Sequence, residues 1–160
     1  MLLALALSIG VLIAGWTYLA LGPGALPVWA GIIAWGCFFA AGGKTDGLVK
    51  TVASNLSGVF WAFVALTLAN TLAPNNLAVL ALMVGVVAAA MVLQSKVGVL
   101  AFIPGAFIGA ATAVSVVVGA SGTYPKVIIA LVAGALFGYV SEILAGALAG
   151  AKSSAQARAG

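Results

Sequence analysis

The sequence has no histidine, a single cysteine (Cys37) and only two carboxylates, Asp46 and Glu142, in 160 residues. One such chain cannot assemble a metal cluster, a disulfide framework, or a nucleophile with a histidine base. The expectation is therefore a protein that is not an enzyme and uses no metal or cofactor. Any acid and base pair would have to be Asp46 with Glu142, and Asp46 falls in a glycine-rich stretch, Gly42 to Gly47, that reads as a loop. Charge is equally scarce. Charged residues make up 5% of the chain, where soluble domains carry roughly 25%. The net charge of +4 comes from single lysines at loop positions rather than from a clustered patch, which argues against a nucleic-acid partner.

What is present in quantity is apolar. Hydrophobic residues fill 65% of the positions, so the polar surface is too small to cover a water-soluble globule, and the partner is the lipid bilayer. A membrane span needs about 20 apolar residues. Breakers and charges divide the chain into six spans: Leu2 to Leu21, Pro27 to Ala41, Thr51 to Ala69, Leu77 to Gln94, Val97 to Val118 and Val127 to Gly150. The runs are continuously apolar with no alternation of period two, which selects helices over the strands of a barrel. The expected fold is thus all-α, a polytopic membrane helix bundle forming one transmembrane domain over residues 1–150, with a disordered cytoplasmic tail over 151–160. Met1 to Ala20 lacks the basic flank of a secretory signal and reads as the first span. Lys44, Lys50, Lys96, Lys152 and Arg158 fall on one side of this topology and only Lys126 on the other, which puts both termini in the cytoplasm.

The six spans divide into two sets of three. An offset of 76 residues aligns Gly22 with Gly98, Gly43 with Gly119, Lys50 with Lys126 and Gly58 with Gly134. An odd number of spans per half makes such a repeat inverted across the membrane, as in many transporters. The second span, about 15 residues long, is too short to cross roughly 30 Å of hydrocarbon. Its counterpart, the fifth, carries Pro104 and Gly105 in its course, which predicts a broken helix with a freed carbonyl. Short or broken segments in matching places of two halves point to a binding site at that level.

Few polar groups are available to line such a site. Thr51, Asn55, Gly58 and Ala62 recur at helical spacing on the third span, with Ser54 and Ser57 beside them. An asparagine amide in hydrocarbon has to face protein or water, so Asn55 is expected to bond a polar solute, the backbone near Pro104, or a neighbouring helix. Glu142 is the one ionisable group well inside a span, a candidate proton carrier or an interfacial residue that pairs with a lysine. Counted from the cytoplasmic ends of their helices, Asn55, Pro104 and Glu142 lie at similar depth, within roughly 12 Å of that surface. The aromatic residues Trp35, Trp61, Phe102 and Phe107 cluster around the same elements and complete an expected solute pathway of Ser54, Asn55, Trp35, Trp61, Phe102, Pro104, Phe107 and Glu142.

Three blocks carry a family resemblance. Trp29-Ala30-Gly31 with Trp35 to Gly43, Ser54 to Val59 with Trp61-Ala62, and Phe102-Ile103-Pro104-Gly105 with Phe107 to Ala110 resemble the bacterial inner-membrane proteins of the YcdZ type, known as domain of unknown function 1097. The resemblance implies a small multi-span protein of the bacterial inner membrane and carries no activity or residue role with it. Read from the residues, the expected function is a passive channel or facilitator for a small neutral polar solute of the urea, short amide or ammonia class, built as a homo-oligomer. The competing expectations are a non-transporting assembly subunit and a proton-coupled carrier that uses Glu142.

Overall fold

The computed structural model describes residues 2–120 and 122–159, with side chains described through Gly150. Among these residues the regular structure is helical: α1 (Leu2–Leu21), α2 (Val28–Ala40), α3 (Lys44–Leu72), α4 (Leu77–Leu93), α5 (Ile103–Val114) and α6 (Tyr124–Ala159). Local chemistry sets the boundaries. The Asn76 side chain accepts hydrogen bonds from the N–H groups of Ala78 (3.0 Å) and Val79 (3.2 Å) and caps α4. Gly42 and Gly43 take φ of +101° and +67°, which turns the chain sharply from α2 into α3.

Helices α1, α3, α4 with its following turn, and α6 are long and apolar enough to cross a membrane; α2 and α5 are shorter apolar helices. The bundle is a membrane helix bundle, and its second element is short, as the sequence predicts; the fifth is short as well, where the sequence predicts a full-length span with a break. Its outer surface is lined by exposed Leu2, Val11, Leu77, Leu82 and Ile143, while Thr51, Ser54, Asn55 and Ser141 are buried. Apolar residues outside and polar ones inside suit a hydrocarbon solvent.

Two expectations need correction. The stretch read as a glycine-rich loop is mostly helix: α3 begins at Lys44, and Asp46 and Lys50 form an i, i+4 ion pair of 2.7 Å on its first turns. The fifth span is not one helix broken at Pro104. Gln94–Lys96 and Gly98–Leu100 are 3₁₀ turns, α5 starts at Ile103, and Pro104 occupies its first turn. A proline there removes no helical hydrogen bond, so no carbonyl is freed. Ser115–Gly119 then prolongs α5 as a π-helical turn. The tail expected to be disordered, 151–160, lies outside the residues whose side chains are described.

Two close helix pairs organise the core. On α3, a Cβ at Gly58 would fall onto the Ala106 carbonyl oxygen of α5, and a Cβ at Gly109 of α5 would fall onto the Asn55 carbonyl oxygen. On α6, a Cβ at Gly134 would fall onto the Gly31 carbonyl oxygen of α2, and Gly138 lies against Trp35 and Phe38. Without side chains at these crossings the backbones touch, the usual way membrane helices gain packing where burial from water contributes little. In both pairs the contacts advance in the same direction along the two chains, so α3 runs parallel to α5 and α2 parallel to α6. Helices α3 and α6 are antiparallel, joined by Glu142 with Lys44 at one end and by Tyr124 with Phe63 at the other. Between them Ala34, Val59, Ala62, Ala113, Val116, Val127 and Leu131 form a dry core.

Candidate functional site

Thr51, Ser54 and Asn55 stand at i, i+3 and i+4 on α3 and so share one face. All three are buried, Asn55 to 1% exposure and the other two completely. The Thr51 and Ser54 hydroxyls and both side-chain polar atoms of Asn55 find no hydrogen-bond partner among the described residues. The face meets the first turns of α5. A Cβ at Gly105 would lie 3.0 Å from the Ser54 Cβ, and Gly109 lies against the Asn55 backbone. The glycines of α5 thus bring a helix backbone close to a polar patch while offering it no side chain.

A small opening lies beside this trio. A pocket of about 210 Å³ is lined by Ala40, Ala41, Lys50, Ala101 and Phe102. Lys50 precedes Thr51 in α3, and the Phe102 ring packs against Gly105, whose other neighbour is Ser54. Phe102 therefore lines the pocket and shares with Ser54 the space over Gly105.

The remaining residues of the expected pathway are elsewhere. Glu142 is separated from Asn55: its Oε2 accepts a hydrogen bond of 2.7 Å from the Lys44 backbone N–H, about 16 Å below Asn55 along α3 at 1.5 Å per residue. Its carboxylate caps the start of α3, where Gly43 has no side chain to do so. Trp35 is buried and donates its indole N–H to Ser141 Oγ at 3.1 Å; Ser141 Oγ donates to the Gly138 carbonyl, and Ser8 Oγ donates to the Ser141 carbonyl. Trp61 donates to Gln94 Oε1 at 2.8 Å, and the Gln94 amide donates to Ser57 Oγ at 2.9 Å. Phe107 is half exposed and lines an apolar groove of about 410 Å³ between α3, α4 and α5. Pro104 is exposed in the first turn of α5. Of the expected pathway, Ser54, Asn55 and Phe102 come together, and Thr51 joins them. Gln94 and Ser141 were missed as partners because a lone polar residue at the end or in the middle of an apolar run does not say which helix it faces.

Among the described residues no group of three metal-binding side chains assembles. The trio itself supplies neutral, unpartnered hydrogen-bond donors and acceptors.

Comparison with known proteins agrees with the sequence blocks. Residues 6–146 match the family described as Protein of unknown function (DUF1097). The chain is 34% identical over 142 residues to Inner membrane protein YcdZ of Escherichia coli (strain K12), covering 88% of this chain and 83% of that protein. It is 35% identical over 144 residues to the protein of the same name in Salmonella typhimurium, covering 88% and 85%. Uncharacterized protein YahC of Escherichia coli (strain K12) is 37% identical over 84 residues, about half of each chain (49% and 50%). No solved structure matches it. With a family model spanning most of its length and two relatives aligned over most of theirs, this chain belongs to the DUF1097 family of membrane proteins.

Proposed function

We propose that the protein is a passive facilitator for a small neutral polar solute, of the class of urea, short amides or ammonia. The observation that carries the reading is the unpartnered trio of Thr51, Ser54 and Asn55. Leaving a buried amide or hydroxyl unbonded costs about 1–3 kcal/mol each. Helix glue would bond its polar groups across to the neighbouring helix, as Trp35 with Ser141 and Trp61 with Gln94 do; the trio does not. A visitor that satisfies it needs donors and acceptors in a few atoms and no net charge, since the trio itself is uncharged and the nearby Lys50 is already paired with Asp46. The sequence also contains no phosphate-binding loop to drive transport by nucleotide hydrolysis.

The relatives' names support the bacterial inner membrane as the location, and the distribution of lysines supports the Lys44 end as the cytoplasmic one. In that orientation the pocket at Lys50 and Phe102 is an inner mouth. The outward faces of α1 and α4 hold Gly10, Gly15 and Gly85, with nothing within 4 Å of their Cβ positions among the described residues. These faces suit contact between copies in a homo-oligomer. Glu142 is engaged at the start of α3, which favours a capping task for it over proton carriage.

Stopped-flow light scattering on proteoliposomes tests the proposal, with water, urea, formamide, glycerol and ammonia compared against empty vesicles. Permeability raised for one small solute and lowered by Asn55→Leu supports the facilitator. A folded, inserted protein with no flux above control removes it and leaves the assembly subunit.

A further inference from the structure

The eight described buried residues of α6 fall in the register of α3. Val127, Ala130, Leu131, Gly134, Ala135, Gly138, Ser141 and Ala145 each lie 76 residues after a buried residue of α3: Thr51, Ser54, Asn55, Gly58, Val59, Ala62, Ala65 and Ala69. The short helices correspond too, with Ala30, Gly31, Ala34, Cys37 and Phe38 of α2 matched at 75 residues by buried Gly105, Ala106, Gly109, Thr112 and Ala113 of α5. The contacts obey the same correspondence. Gly58 meets the Ala106 carbonyl, and Gly134, 76 residues on, meets the Gly31 carbonyl, 75 residues before Ala106. Because α3 and α6 are antiparallel, the equivalent places lie at opposite ends of the bundle.

At these equivalent places the chemistry differs while the shape is kept. Thr51 corresponds to Val127, Ser54 to Ala130 and Asn55 to Leu131, each apolar residue close in size to its polar counterpart and equally buried, at 0% or 1% exposure. Val127 and Leu131 belong to the dry core with Val59, Ala62 and Val116. Apolar side chains evidently satisfy the packing at such a position, so the polar trio is not required by the fold.

We infer that the two halves are inverted copies in which one end has become a polar binding step and the other, at Val127, Ala130 and Leu131, the apolar barrier that limits passage. This inference rests on the facilitator reading and adds the residues that restrict it. A polar solute stripped of water at Asn55 meets only apolar side chains at Val127, Ala130 and Leu131, so transfer across those three is the costly step. Making the barrier resemble its counterpart lowers that step.

The test introduces Val127→Thr and Leu131→Asn together, keeping side-chain size, and measures solute permeability in proteoliposomes beside the unmodified protein and Asn55→Leu. The expected result is a rise of about tenfold, equivalent to a barrier lowered by about 1.4 kcal/mol. Circular dichroism and gel filtration check folding, and Val127→Thr alone, with the smaller change, stands in if the double variant does not fold; the same direction is expected of it. A folded variant with unchanged permeability, while Asn55→Leu lowers the flux, overturns the barrier and leaves the facilitator standing. No flux in the folded, unmodified protein overturns the facilitator and the barrier with it, even where the double variant conducts. No flux in any of them overturns both.

Discussion

Glu142 on α6 accepts a hydrogen bond of 2.7 Å from the Lys44 backbone N–H at the start of α3. The contact pins the last helix to the third across 98 residues of sequence and places a carboxylate at the positive end of a 29-residue helix. Glu142→Gln keeps the acceptor and removes the charge, and is expected to lower stability by about 1 kcal/mol, seen as a lower thermal midpoint in detergent. Solute permeability, with or without an imposed proton gradient, should be unchanged. Loss of uptake in a variant of unchanged stability would restore the proton-coupled carrier.

The polar trio carries a prediction of opposite sign. Asn55→Leu and Thr51→Val copy the residues at equivalent places in α6, and each removes unbonded polar atoms from the core. Each should raise stability, by about 1–3 kcal/mol, while lowering solute flux. Thermal unfolding of the two variants decides the matter. A fall in stability on both substitutions would mean that the polar atoms are bonded in the folded protein.

The glycine crossings predict a sharp contrast within one residue type. Gly58→Ala would drive a methyl group into the Ala106 carbonyl, and α3 would have to separate from α5. The expected loss is about 1–3 kcal/mol or more, the range for overfilling a packed core. Gly85→Ala on α4 meets nothing within 4 Å among the described residues and should be neutral or slightly favourable. Yield and thermal midpoint of the two purified variants provide the comparison.

The Trp61 indole and the Gln94 amide are 2.8 Å apart and tie the end of α4 to the middle of α3. Gln94→Leu leaves the indole N–H without its acceptor and should destabilise by about 1–3 kcal/mol. In a double-mutant cycle with Trp61→Phe, a coupling of about 1 kcal/mol is expected. Additive effects would show that the bond contributes nothing to holding the helices together.

Much of the fold was legible because bilayer thickness converts hydropathy directly into elements. The long apolar runs gave α1, α4 and α6, and the shortness of the second run predicted α2 as observed. The start of α3 was misread because Lys44 to Lys50 is polar and glycine-bearing, features of a loop in water. Near a membrane surface the Asp46 and Lys50 pair supports a helix there instead. Pro104 was misread because a proline looks the same in sequence at a helix interior and at a helix start; only the 3₁₀ turns before it decide which applies. For the site, Ser54 and Asn55 were legible from helical spacing, since i and i+4 share a face. The scattering of Trp35, Trp61, Phe107 and Glu142 was not, because which helix each one meets depends on the pairing of α2 with α6 and α3 with α5, contacts across many tens of residues that no local pattern encodes.

That pairing bears on how the chain is made. Trp16 of α1 covers Gly31 early, but the Gly31 carbonyl and the Trp35 and Phe38 rings meet Gly134 and Gly138 about a hundred residues later and gain that partner only when α6 leaves the ribosome. The first three helices can enter the bilayer, but their short member is seated only in part, on Trp16, until the last helix arrives. Assembly is therefore a closing step made at the end of synthesis, and a chain cut short before Tyr124 would present an unfinished surface to whatever surveys the membrane for misassembled proteins.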